Sequence, residues 1–188
     1  METIFNHIAT IHDLDGMVAV EEGALLPSVL PNMKNWRVRT AARCVITNGQ
    51  QIAMQRLETE DATKLPGGGV QHGEDDSRAL ERELLEEIGV SGVSDIDPLG
   101  VVFEFRRSWR LVQISRIFQA RIGPESWIGP ATEEGSSLTW GESPSAAVGI
   151  LEASIVPDTY DKRFMLVRDR EIMRHFISTQ VSMPGSAT

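Results

Sequence analysis

Three glutamates in a short segment have the spacing that divalent-metal chemistry requires. Glu83, Glu86 and Glu87 are separated as i, i+3 and i+4. On a helix of 3.6 residues per turn, this spacing puts the three side chains within an arc of roughly 100°. Like charges that close repel one another, so a positive partner is expected. Carboxylate oxygen is a ligand that Mg²⁺ favours, together with water and substrate phosphates. The spacing indicates a metal site, and the alternative is a solvated acidic helix of no special function.

The residues around these glutamates predict a loop, a helix and a stop. The segment 65–69 holds three consecutive glycines and is predicted to be irregular. Acidic residues at 74–76 suit the start of a helix, and Gly89 suits a left-handed residue at its end. The apolar face of the helix is predicted from the spacing of Leu80, Leu84, Leu85 and Ile88. The helix can therefore pack inward while its carboxylates face a cleft.

The same segment resembles the catalytic motif of the Nudix hydrolases. The motif residues are Gly68, Glu74, Arg82, Glu83, Glu86, Glu87 and Gly89, with apolar Leu84 and Val90. The resemblance extends over about residues 37–180. It implies an α/β (α+β) fold, in which a mixed β-sheet is sandwiched between helices. It also implies a metal-dependent hydrolase that cleaves the diphosphate linkage of a nucleoside diphosphate joined to another moiety.

The resemblance assigns a role to each residue of the motif. Glu83, Glu86 and Glu87 are similar to the family's ligands for Mg²⁺ or Mn²⁺, and the backbone carbonyl of Gly67 is similar to a further ligand. Arg82 looks like the arginine that orients the neighbouring glutamates by charged hydrogen bonds. A catalytic role is thus expected for Arg82 and the three glutamates.

One more carboxylate is expected outside the motif. Glu133 and Glu134 precede Trp140, at a place that resembles where some Nudix enzymes carry a metal ligand or general base. We predict Glu134 for both roles. The alternative is a charged, solvated loop.

Basic and aromatic residues are candidates for substrate binding. Trp109 and Arg107 could stack on a base and hold a phosphate. Lys64 and Arg39 are further phosphate candidates. For the first pair the alternative is a strand end and turn with a surface tryptophan, and for the second it is solvent-facing positive charge.

Composition restricts the class of protein and its partners. The chain has 188 residues, 41% of them hydrophobic, with a net charge of −9. Such an acidic chain is a poor binder of nucleic acid backbone, so a small-molecule substrate is expected and a nucleic acid polymer is not. The single cysteine, Cys44, is predicted to be buried and inert. We find no membrane-spanning or signal segment and expect a cytoplasmic location, with a homodimer left open.

The chain divides into three predicted parts: an N-terminal extension of residues 1–36, a hydrolase domain of residues 37–180 and a flexible tail of residues 181–188. In the extension, Asp15-Gly16 predicts a hairpin. The extension could cover a sheet edge, form a dimer contact or shape the substrate pocket. In the domain we predict strands at 37–47, 51–56, 99–105 and 111–122, and helices at about 143–154 and 168–179.

Two functions from different classes remain open at this point. One is hydrolysis of a nucleoside triphosphate or a nucleotide-sugar-like substrate. The other is a non-catalytic Nudix-fold module that senses a nucleotide or a sugar, although such modules usually carry a degraded motif and this motif is intact. A fold does not determine a substrate.

Overall fold

The computed structural model describes residues 5–14, 17–21, 33–154 and 159–181. Within them the chain forms eleven strands and three α-helices. The strands are β1 His7–Leu14, β2 Met17–Glu21, β3 Arg37–Thr47, β4 Ile52–Leu57, β5 Ala62–Lys64, β6 Gly67–Gly69, β7 Val90–Ser91, β8 Ser94–Arg106, β9 Leu111–Arg121, β10 Trp127–Ile128 and β11 Ser136–Gly141. The helices are α1 Asp76–Ile88, α2 Pro144–Ala153 and α3 Tyr160–Val181.

Nine of these strands make one mixed sheet. Its order is β11-β4-β3-β9-β8-β1-β2, with β5 paired to β4 and β6 paired to β3. The β3–β9 and β1–β8 pairs are parallel, and the other pairs of this sheet are antiparallel. Strands β7 and β10 form a separate two-stranded sheet. Helix α1 packs against β3, β4, β6, β7 and β11, helix α2 against β5 and β11, and helix α3 against β1, β2, β5 and β8.

Strand β3 shows why helices cover both faces of the sheet. Its side chains alternate between the faces, as in any strand. Val45 belongs to an apolar core with Leu151 of α2 and Phe164 of α3. Cys44 and Ile46 belong to a second core, which contains the apolar residues of α1. The predicted mixed sheet between helices is therefore confirmed, and Cys44 is buried as predicted.

The glycine segment differs from its prediction. Gly67–Gly69 was expected to be irregular, but it forms β6 and pairs with Ala41–Arg43 of β3. Gly67 has a φ of 120°, and a Cβ there would collide with the carbonyl oxygen of Ala42. The missing side chains thus permit close strand pairing, and they do not abolish regular structure. The glycine segment before α1 is consequently part of the main sheet.

Two predictions about the helices differ from the structure. Leu85 was assigned to the apolar face of α1, but its side chain is exposed, whereas Leu80, Leu84 and Ile88 are buried. Helix α3 begins at Tyr160, eight residues before the predicted start at Arg168. The charged residues in its first half obscure the regular spacing of apolar residues by which a helix is predicted from sequence.

The N-terminal extension adds two strands to the sheet. Strand β1 runs parallel to β8, and β2 pairs antiparallel with β1, as the hairpin pattern predicted. Asp15 and Gly16, on which that prediction depended, lie outside the described residues, as do residues 182–188 of the predicted tail. The described part of the extension thus covers the edge of β8.

Helix α1 has well-defined ends. Asp75 caps its first turn by accepting a hydrogen bond from the backbone N–H of Arg78 at 2.9 Å. Gly89 ends it in the left-handed conformation, with φ 66°, and its N–H points back to the carbonyls of Leu84 and Leu85. The predicted role of Gly89 is confirmed. A Cβ at Gly89 would also collide with the carbonyl of Gly129.

We expect Gly89→Ala to lower the free energy of unfolding by at least about 1–2 kcal/mol, because alanine pays for the left-handed conformation and meets the Gly129 carbonyl. Chemical denaturation measures this loss. The matched control is Gly149→Ala in α2, where a Cβ meets nothing within 4 Å. That change should be neutral or stabilise the protein by up to about 1 kcal/mol. Equal effects at the two positions would contradict the proposed cap.

Candidate active site

Arg82 is the centre of the polar face of α1. Its guanidinium binds Glu74 through two parallel contacts of 3.0 Å. It also donates to Glu83 at 2.7 Å and to Glu86 at 3.1 Å. A fifth hydrogen bond, of 3.0 Å, reaches the carbonyl oxygen of Gly69. The Glu74 contact raises the pKa of Arg82, and Arg82 in turn lowers the pKa of the Glu74 carboxyl. Arg82 thus holds the helix, the preceding loop and β6 together.

A cavity of about 320 Å³ lies beside these carboxylates, and we call it the acidic pocket. It is lined by Glu83, Glu86, Thr132 and Glu133. The backbone N–H groups of Thr132 and Glu133 donate to the carbonyl oxygen of Glu86 at 3.0 and 2.8 Å. These two bonds fix the loop before β11 against the end of α1. Glu133 therefore faces the motif glutamates.

The carboxylate of Glu133 is oriented by the neighbouring strands. Its Oε2 accepts hydrogen bonds from the Gln55 amide at 3.0 Å and from the Ser136 hydroxyl at 3.1 Å. Glu134, our predicted residue, is exposed and is not among the residues that line the acidic pocket. The geometry brings Glu133, not Glu134, together with Glu83 and Glu86.

Glu87 is separated from the other two glutamates of the motif. It is 6% exposed, and its Oε1 lies 2.5 Å from the ammonium nitrogen of Lys64. Its Oε2 accepts a hydrogen bond of 2.6 Å from the backbone N–H of Gly67. Burial lowers the pKa of Lys64 and raises the pKa of Glu87. For each group, burial therefore disfavours the charged form by more than the ion pair stabilises it. Both Glu87 oxygens are engaged within the protein.

The predicted carbonyl ligand is also engaged. The guanidinium of Arg43 donates to the Gly67 oxygen at 2.5 Å, and the Lys64 ammonium lies 3.5 Å from the same oxygen. Burial and the nearby Arg168 lower the pKa of Arg43 to about 10. In this arrangement Gly67 and Glu87 belong to an internal network of charges. Glu83 and Glu86 belong to the acidic pocket.

The donor set of the acidic pocket suits a hard divalent cation. Arg82 binds one oxygen of Glu83 and one of Glu86, and Gln55 binds one oxygen of Glu133. Within the described ranges, the second oxygen of each carboxylate has no hydrogen-bond partner. Such oxygens are what Mg²⁺ and Mn²⁺ prefer. No three acidic, histidine or cysteine side chains of the described residues are yet placed to hold one ion. Binding therefore requires side-chain rotation.

Comparison with known proteins identifies the family. The NUDIX domain profile matches residues 37–140, more than half of the chain. The chain belongs to the NUDIX family. A NUDIX hydrolase structure from Nitrosomonas europaea superposes with a TM-score of 0.58 at 13% identity, covering 81% of this chain and 100% of that one. At such low identity the likeness concerns the fold alone.

Two curated relatives match a shorter part of the NUDIX chain. Both are named RNA pyrophosphohydrolase. The protein from Saccharophagus degradans is 37% identical over 68 residues, which are 35% of this chain and 39% of that protein. The protein from Ruthia magnifica is 48% identical over 48 residues, which are 25% of this chain and 27% of that protein. The chain thus spans less than half the length of these relatives.

The predicted substrate-binding residues of this NUDIX domain occupy two places. Trp109 lies in a turn after β8, 42% exposed, with its ring 5.2 Å from that of Tyr160. Arg107 lies in the same turn, and its backbone N–H donates to Asp13. Arg39 and Lys64 line a different cavity, beside β6. Their roles remain predictions.

The sequence interpretation missed several buried charges near the site. Arg43 and Glu104 lie within the apolar stretches 41–46 of β3 and 99–105 of β8, and Arg168 and Asp169 are almost fully buried on α3. A single charge inside an apolar strand was a usable signal, because such a residue must find a partner. The charges on α3 carried no such signal, since helices commonly bear charges on a solvated face.

No helix of the described residues is long and apolar enough to cross a bilayer.

Proposed function

We propose that this protein is a metal-dependent pyrophosphohydrolase that cleaves the diphosphate linkage of a nucleoside diphosphate joined to another moiety. The acidic pocket carries the proposal. It brings Glu83, Glu86 and Glu133 to one cavity, and each carboxylate keeps one oxygen available. Family membership supports the same chemistry.

Glu83 and Glu86 are the proposed metal ligands in the acidic pocket. Glu87 and the Gly67 carbonyl would serve as further ligands once they give up their contacts with Lys64 and Arg43. Bound Mg²⁺ or Mn²⁺ supplies charge neutralisation of the diphosphate and acidification of a water molecule. Arg82 keeps the Glu83 and Glu86 carboxylates in position through its hydrogen bonds. We propose that Glu133 accepts the proton of the attacking water, because its carboxylate is oriented by Gln55 and lines the same cavity.

The test is a turnover screen with Mg²⁺ and Mn²⁺, reading phosphate and pyrophosphate release. The substrates are nucleoside triphosphates, dinucleoside polyphosphates, ADP-ribose-type compounds and nucleotide sugars. RNA with a 5′-triphosphate is included because the curated relatives are named RNA pyrophosphohydrolase. We expect turnover that disappears with EDTA. Glu133→Gln should lower kcat by about a hundredfold or more, as the loss of a general base does.

Glu134→Gln is the matched control, since it removes the same charge from the adjacent position. We expect its kcat to stay within about twofold of the unmodified protein, because exposed charges outside a site contribute little. A large loss in Glu134→Gln with none in Glu133→Gln would restore Glu134 as the base. Turnover that persists in EDTA would reject the metal-dependent mechanism.

One observation favours the alternative of a sensing module. Glu87 and the Gly67 carbonyl are held by Lys64 and Arg43, as in a site whose charges are already balanced internally. Isothermal titration separates the two functions. Tight nucleotide binding with no product from any substrate would favour the sensing module.

A further inference from the structure

A second charged cavity lies beside β6. Six basic side chains line this cavity of about 160 Å³, which we call the basic pocket: Arg39, Arg43, Lys64, Arg106, Lys162 and Arg168. They come from β3, β5, β8 and α3. Four of the six, Lys64, Arg106, Lys162 and Arg168, are ion-paired with carboxylates, and Asp161 also lines the cavity. Within the described residues Arg39 and Arg43 are in no ion pair, so they carry the excess positive charge of the pocket. A local cluster of this kind raises the concentration of anions at its surface.

Strand β6 lies between the basic pocket and the acidic pocket. A Cβ added to Gly68 would meet the carboxylate of Glu83, and a Cβ added to Gly69 would meet the guanidinium of Arg39. Successive residues of a strand face opposite sides. Glu83 and Arg39 therefore lie on opposite sides of β6. The edge of β6 that faces away from β3 has no strand paired to it in the described residues, so a ligand that reaches both pockets would pass around Gly67–Gly69, where the absence of side chains permits close approach.

The basic pocket has hydrogen-bond donors to spare. Arg168 donates to Asp169 at 2.7 Å, and Arg106 donates to Glu104 at 2.9 Å. The Nη2 of Arg168 and the Nε atoms of Arg43 and Arg106 are nevertheless buried without a partner in the described part of the chain. These three residues are at most 7% exposed. A buried donor without an acceptor is unfavourable, so an anionic ligand rich in acceptor oxygens would stabilise this arrangement.

The size and lining of the basic pocket limit what it can hold. Its volume is about half that of the smallest typical pockets for small organic ligands, about 300 Å³. Among the residues that the structure describes, Met165 is its one apolar lining residue and no aromatic ring lines it. A nucleobase would find no stacking surface there. A phosphate group fits, because guanidinium groups bind phosphate oxygens with favourable geometry.

We propose that the basic pocket binds the terminal phosphate of the substrate, so that the substrate class is a nucleotide bearing a 5′-triphosphate and not a nucleotide sugar. This inference rests on the proposed function for the position of the linkage that is cleaved, beside the acidic pocket. A triphosphate would extend from the acidic pocket, around the unpaired edge of β6, to the basic pocket. A free nucleoside triphosphate and the 5′-end of a primary RNA present the same triphosphate.

The first experiment measures phosphate binding without turnover. Inorganic phosphate is titrated in EDTA at constant ionic strength, and the shift of the midpoint temperature of unfolding gives an apparent Kd. Arg39→Gln should weaken binding about tenfold, because it removes an exposed charged donor from the rim. Asp161→Asn should tighten binding a few-fold, since it removes a negative charge from the lining. A folding defect cannot imitate this tightening.

Arg121→Gln is the control, because Arg121 lies at the far end of β9 and outside the basic pocket. Its apparent Kd for phosphate should be unchanged. The same Kd in all four proteins, or no stabilisation by phosphate at all, would overturn the assignment of the basic pocket. Phosphate binding with the expected variant pattern, in a protein that hydrolyses no substrate, would keep the pocket and reject the proposed function.

The second experiment tests the substrate class in Mg²⁺. Arg39→Gln should raise KM about tenfold for ATP and for a 5′-triphosphorylated oligoribonucleotide, while kcat changes little and the KM for ADP-ribose is unchanged. Whichever of ATP and the triphosphorylated oligoribonucleotide has the larger kcat/KM shows whether the substrate is a free nucleoside triphosphate or the 5′-end of an RNA. An equal rise in KM for ADP-ribose would overturn the triphosphate assignment.

Discussion

Glu86→Gln should lower metal-dependent turnover by at least about a hundredfold while leaving the protein folded. Glu86 has 47% of its side chain exposed and its main structural contact is one hydrogen bond from Arg82, which a glutamine oxygen can still accept. The charge lost is one that the proposed metal site requires. Changes to groups that merely support a metal ligand cost about 10–100-fold, so loss of a ligand should cost at least as much. The measurement is phosphate or pyrophosphate release in Mg²⁺, with circular dichroism to confirm the fold.

Glu81→Gln is the matched control for this experiment. Glu81 is exposed on the same helix and does not line the acidic pocket. The Glu81→Gln substitution removes one negative charge, as Glu86→Gln does, so any general effect of net charge on turnover would appear in both variants. We expect Glu81→Gln to retain nearly full activity. Undiminished turnover in Glu86→Gln would defeat the assignment of the acidic pocket.

Glu87 should behave differently, because its charge is buried. Glu87→Met leaves the Lys64 ammonium buried without its partner, and Lys64→Met leaves the Glu87 carboxylate in the same position. Removing one member of a buried ion pair costs about 3–5 kcal/mol. We expect each single variant to lose that much free energy of unfolding, measured by urea denaturation.

The double variant Lys64→Met/Glu87→Met should recover most of this loss. Burial shifts both pKa values in the direction that favours the neutral form of each group. The ion pair therefore adds little stability compared with two apolar side chains of similar size. The recovery will be incomplete, because the N–H of Gly67 still loses its acceptor, at a cost of about 1–3 kcal/mol. Strictly additive losses would show that the two charges do not depend on each other. We expect the double variant to remain inactive, in keeping with the predicted role of Glu87 as a metal ligand.

Local spacing along the chain was enough to predict helix α1, which carries the Nudix motif. Asp75 and Gly89 set the start and the end of α1, and Leu80, Leu84 and Ile88 its buried face, because helix caps and helix periodicity act over a few residues. Leu85, assigned to the same face, is exposed. The intact motif also indicated the family and the mixed sheet between helices, both of which are confirmed. The strand Arg37–Thr47 was predicted with the bounds that the structure has, because β-branched and apolar residues fill it up to a turn at Asn48-Gly49.

Contacts between distant segments produced what the local patterns did not contain. Gly67–Gly69 forms a strand because Ala41–Arg43 lie beside it, and nothing in a run of three glycines specifies that neighbour. The spacing of the three motif glutamates predicts that they share one helix face. In the structure Glu87 forms an ion pair with Lys64, and Glu133 lines the acidic pocket with Glu83 and Glu86. The six basic side chains of the basic pocket come from four elements that are separated along the chain. Charge partners across such distances follow from packing, and packing is a property of the whole sheet and its helices.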